Sequence, residues 1–134
     1  MCYASENDFR DRLGNDFAEI YPEPQYAILD LQDAQAEIDG VLSLYYQTPI
    51  TGEQALPLLK SWTLTLAEER AYVRTSGSRF TEKLKTRVDQ VRQRLEEIRK
   101  EQFILPGAEK RADSQVAFLE MDQPVFSRKT LQYF

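Results

Sequence analysis

Apolar residues recur along much of this chain at alternating spacings of four and three, the period of an α-helix with one buried side. The pattern is cleanest at Phe80, Leu84, Val88, Val91, Leu95 and Ile98, with charges in most positions between them, and it predicts a helix from about Ser78 to Gln102. Ala27, Leu31, Ala34, Ile38, Val41 and Tyr45 draw a second stripe, which Leu29 and Leu42 widen, over a helix from about Gln25 to Tyr45. Leu59, Trp62, Leu66, Ala67 and Tyr72 predict another from about Glu53 to Val73. Pro57 falls in its first turn, where the missing N–H has no partner to lose. Trp62 lies in register with leucines and reads as core. A short helix opens at Ser5, whose spacing to Asp8 fits a capping box. It turns Phe9 and Leu13 to one side and stops at Gly14.

Turn residues separate these segments: Pro22 and Pro24, then Pro49 and Gly52, then Thr75 to Ser78, then Pro106 and Gly107. The expected fold is all-α, a compact bundle of about four helices over residues 1–107. Gly40 costs the second helix about 1 kcal/mol relative to alanine. That cost is offset where another helix packs closely, so Gly40 is expected at a helix–helix contact. Together with Pro49, it is expected to set the geometry of that helix and its exit.

Residues 108–134 differ in kind and are expected to form an extended C-terminal arm. Their apolar residues follow no helical period, yet Phe118, Phe126, Leu131, Tyr133 and Phe134 are too many for a solvated tail. Such residues need a surface to cover them, on their own domain or on a neighbour, and the neighbouring molecule is the expected one. Phe126, Arg128, Leu131 and Phe134 are the candidate contacts, with Arg128 as the polar anchor of an apolar peptide.

Composition narrows the chemistry. A chain of 134 residues, 42% hydrophobic and 11% aromatic, has the material for one buried core. It contains no histidine, which removes the commonest general base and transition-metal ligand together. Its one cysteine, Cys2, has no partner in the chain for a disulfide and reads as an incidental surface thiol. Asp30, Asp33 and Glu37 share a helical face that offers oxygen ligands to a hard cation such as Mg²⁺. No second helix brings matching acids, so a solvated acidic face is the simpler account. There is no Gly-x-x-x-x-Gly-Lys phosphate loop. No catalytic residue, cofactor or metal is assigned, and the expectation is a protein that is not an enzyme. No apolar run approaches the roughly 18–20 residues that cross a bilayer, and the first residues carry no secretory signal pattern.

Charge is spread unevenly. Residues 1–55 hold two basic residues, Arg10 and Arg12, against eleven acidic ones, a balance of −9. Residues 78–102 hold eight basic and five acidic residues, a balance of +3. Interleaved acids make phosphate binding by the basic segment a weak reading. Acidic front packed against basic helix is instead a route to head-to-tail association.

The run Asp33-Ala34-x-x-Glu37-Ile38-Asp39-Gly40-x-Leu42, followed by Tyr46-x-x-Pro49-Ile50, resembles the small structural protein family of Mu-like phages and prophages, of head–tail adaptor type. Tyr3-Ala4 with the acidic helix and Gly14 after it resembles that family's start, and Val125-Phe126-Ser127-Arg128 with Leu131 and Phe134 its end. The resemblance implies a virion protein made in the host cytoplasm. It implies a homo-oligomeric ring that joins the portal protein to neck and tail proteins, with DNA passing through its lumen without sequence-specific binding. Two other classes stay open: a helical partner-binding or scaffolding module outside the virion, and a metal enzyme built on Asp30, Asp33 and Glu37.

Overall fold

The computed structural model describes residues 2–75, 81–108 and 110. Over these the chain forms five helices: α1 Glu6–Leu13, α2 Asp16–Ile20, α3 Gln25–Leu42, α4 Leu56–Arg74 and α5 Glu82–Arg99. Beyond them, the described residues contain one isolated antiparallel bridge, between Tyr46 and Lys110. The fold is all-α, as the apolar periodicity predicts. Most of the expected arm, including Phe126, Arg128, Leu131 and Phe134, lies outside the described residues.

Local sequence explains where the helices start and stop. The Ser5 hydroxyl accepts from the Asp8 N–H at 3.1 Å, while the Ser5 N–H donates to the Asp8 carboxylate at 3.0 Å. This reciprocal cap supplies partners for two groups at the end of α1. Gly14 ends the helix at φ +61°, a conformation that glycine adopts without a Cβ penalty. Thr81 caps α5 by accepting from the Leu84 N–H at 3.2 Å. Pro57 sits in the first turn of α4.

Ion pairs give the helix directions. Asp30 meets Arg74 and Glu37 meets Arg70, so α3 and α4 run antiparallel. Trp62 meets Phe103 just past α5, and Glu68 meets Arg87, so α5 also runs antiparallel to α4. These three long helices enclose Ile38, Leu42, Leu59, Leu66, Val88 and Ile98, each almost wholly buried. Each such side chain contributes about 1.5–3 kcal/mol through burial. On the other side of α3 and α4, α1 and α2 close the core with Phe9, Phe17 and Tyr21, whose ring centroids lie 5.3–6.2 Å apart.

Three expectations change. The short α2 occupies a stretch read as loop. The second predicted helix stops at Leu42 rather than at Tyr45. Leu29, expected to widen its buried stripe, is 47% exposed on the outside.

Candidate interaction surface

The three carboxylates of α3 do not converge. Asp30 is 4% exposed and is gripped by Arg74, Nε to Oδ2 at 2.7 Å and Nη2 to Oδ1 at 3.0 Å. The Tyr21 hydroxyl also donates to it. Glu37 accepts from Arg70 and Arg92, both at 3.1 Å, and Arg92 continues to Glu69 at 2.7 Å. Asp33 faces solvent. A solvated acidic face therefore describes Asp33 but not Asp30 or Glu37. Among the described residues, no group of three or more Cys, Asp or Glu side chains is placed to hold a metal ion.

Some charges of the basic helix are paired inside the chain. Glu68 on α4, 4% exposed, joins α1 to α5 through Arg12 at 2.7 Å and Arg87 at 3.2 Å. Arg87 and Arg92 of the basic helix are thus committed to pairs between helices. Lys83 and Lys85 remain exposed near its start.

The aromatic turn after α3 fastens four parts of the molecule together. The Tyr3 hydroxyl donates to Asp39 at 2.5 Å and accepts from the Ile50 N–H at 2.8 Å. Tyr45 donates to the Arg99 carbonyl at 2.7 Å, at the end of α5. The Tyr46 hydroxyl accepts from the Leu105 N–H at 3.0 Å. Gly52 lies so close to the Gly107 carbonyl that an added Cβ would sit 2.1 Å from its oxygen. Burial first, and the Asp39 hydrogen bond second, push the Tyr3 hydroxyl well above the ordinary tyrosine range. Burial also raises the Asp39 carboxyl, against the lowering effect of its bonds to Tyr3 and Gln35. Pro49, in a cis peptide with Thr48, is exposed on this turn. The described chain ends in the same region, where Lys110 bridges to Tyr46.

Gly40 also lies toward this end, but not at a close helix–helix contact. It is exposed, and a Cβ added there would meet nothing within 4 Å. It lines an open groove of about 420 Å³ between α3 and α5, with Ala36, Val41 and Leu95 beneath and Glu37, Arg92, Glu96 and Arg99 around it. A larger groove of about 850 Å³ between α4 and α5 is lined mainly by polar groups such as Ser61, Thr65, Gln90 and Arg94.

The sequence pattern gave Gly40 and Pro49 a structural role, and it marked Tyr3 and Tyr46 as part of a family resemblance without showing that they organise the surroundings. Tyr3, Tyr21 and Tyr46 lie outside the helical stripes, and their partners are between 9 and 59 residues away. Beyond that resemblance, their one visible signal is aromatic residues beside turns.

A family model described as Bacteriophage Mu, Gp36 matches residues 3–119. The chain belongs to that family, and so to a family of phage proteins. No curated protein and no solved structure matches it significantly. Among the described residues, no helix is long and apolar enough to cross a membrane.

Proposed function

We propose that this member of the Mu Gp36 family is a non-enzymatic virion protein, a head–tail adaptor that assembles as a ring on the portal and joins the capsid to the neck or tail. Family membership over residues 3–119 is the observation that carries the reading. Two features support it. The helical body is tied across its helices by ion pairs, as suits a part that transmits load rather than one that opens around a substrate. The C-terminal segment starts from the aromatic turn, where it can leave toward a neighbour, with Phe126, Arg128, Leu131 and Phe134 as its contacts.

A ring needs two different patches on each copy, so that the same contact repeats around the axis and closes. Acidic residues toward the lumen would repel phosphates and let DNA pass without sequence-specific binding. The protein would be made in the host cytoplasm and end in the virion, without cofactor or membrane.

Electron microscopy of the purified chain mixed with the portal protein of the same phage tests this. Annular density added to the portal supports the adaptor. Bare portals beside free chain at micromolar concentrations exclude it and favour a partner-binding module outside the virion.

A further inference from the structure

Helix α3 carries two apolar faces, and the chain covers only one. Ala27, Leu31, Ala34, Ile38 and Val41 are buried. Tyr26, Leu29, Ala36 and Gly40 form a second line, with Asp33 within it, at spacings of three and four. Leu44 follows just beyond the helix. All six are exposed: Tyr26 at 42%, Leu29 at 47% and Leu44 at 44% are among the largest apolar side chains at the surface. A helix with two such stripes is packed on both sides in its working state. Gly40 agrees, since its cost to the helix brings no close contact within this chain.

We propose that this outer face of α3, centred on the Gly40 groove, is the docking site for residues 125–134 of a second copy. The inference rests on the ring reading above and assigns the receptor for the arm. Two observations select this occupant. First, charge is complementary. Asp30, Glu37 and Asp39 of α3 are already bonded within the chain, which leaves Asp33 as the open carboxylate of the stripe, whereas residues 125–134 contain Arg128 and Lys129 and no acidic side chain. Asp33 lies exposed in the middle of the stripe, and among the described residues it has no ion pair. Second, the connection is long. Lys110 is held at Tyr46, close to the Gly40 end of α3. Residues 111–123 span up to about 45 Å when extended, whereas all of α3 is about 27 Å long. Docking on the chain's own adjacent groove needs no such spacer; crossing to a neighbour does. Phe126, Leu131 and Phe134 then cover the apolar line, while Arg128 meets Asp33.

Disulfide trapping between full-length chains tests the assignment. One variant carries Cys2→Ser and Ala36→Cys, the other Cys2→Ser and Phe134→Cys, and the two are mixed under mild oxidation. The proposal predicts a mixed dimer. Gly40→Trp or Asp33→Lys slows its formation about tenfold, the effect of losing one good interfacial contact. Gly40→Ala leaves trapping within about twofold and raises the melting temperature, as it restores helix propensity in open space. That variant and the unchanged melting of Gly40→Trp separate blocked docking from misfolding. No mixed dimer, or trapping indifferent to Gly40→Trp and Asp33→Lys, overturns the proposal. So does a crosslink that forms only within one chain carrying both cysteines. Portal is absent from this assay, so failure to bind a portal overturns the adaptor reading without touching this one. Normal portal rings without trapping overturn this one alone.

Discussion

Asp30 shows why side-chain roles in this fold resist reading from spacing. Beside Asp33 and Glu37 it looks like one member of a surface carboxylate set, yet it sits where the buried stripe of α3 meets α4. Its partner, Arg74, lies 44 residues on, at the far end of the next helix, and nothing local announces the pair. Removing Arg74 leaves a buried carboxylate held only by Tyr21. For Arg74→Leu we expect a loss of about 2 kcal/mol in urea unfolding, less than the ~3–5 kcal/mol of a fully buried pair because the guanidinium is partly solvated. Asp30→Asn added to Arg74→Leu should recover part of that loss. The tyrosines yield a pH prediction. Burial, then the hydrogen-bonded carboxylate, raises both Tyr3 and Tyr21. Tyrosines in the unfolded chain ionise near pH 10 while these stay protonated in the fold. Their contribution is therefore complete below about pH 10 and is lost as pH rises toward their folded values. Urea midpoints should fall across about pH 9.5 to 11, and Tyr21→Phe should flatten that fall.

At the scale of elements, strong periodicity translated directly into structure. The stripe through Leu84, Val88, Val91, Leu95 and Ile98 is buried on α5 as expected, and Ser5 with Asp8 forms the predicted cap. Helix α2 escaped because its five residues, lying between Gly14 and Pro22, are too few to show a period. So short a helix is not stable alone; Phe17 and Ile20, buried beneath it, hold it in place. Leu29 escaped for a different reason. It extends the apolar character of α3 around to the outer face, and sequence alone does not reveal which apolar face a chain will cover itself. The turn after α3 was legible as a break but not as a junction, because its contacts reach Tyr3, Arg99 and Leu105. Gly52 makes that junction testable. An alanine Cβ would press on the Gly107 backbone, which cannot rotate away as a side chain would. Gly52→Ala should therefore cost about 2–3 kcal/mol, read as a lower urea midpoint, with the largest changes in hydrogen exchange around residues 44–54 and 103–108.

Across the whole molecule, the acidic first half and basic α5 looked suited to joining copies face to face. Within one chain the fold joins the two through Glu37 with Arg92, while Arg87 of α5 is taken by Glu68 of α4. What remains for association is the outer face of α3, the exposed start of α5 and the terminal segment. An asymmetric set of this kind suits a repeating heterologous contact better than a two-fold dimer. The measurement that bears most directly on the adaptor account is native mass by light scattering, for the chain alone and mixed with its portal. We predict that the full chain is a ring by itself or adds many copies to the portal, and that truncation after Gln123 abolishes this while the shortened chain keeps its helical melting. A full chain that stays monomeric or dimeric and leaves the portal's mass unchanged would contradict the account.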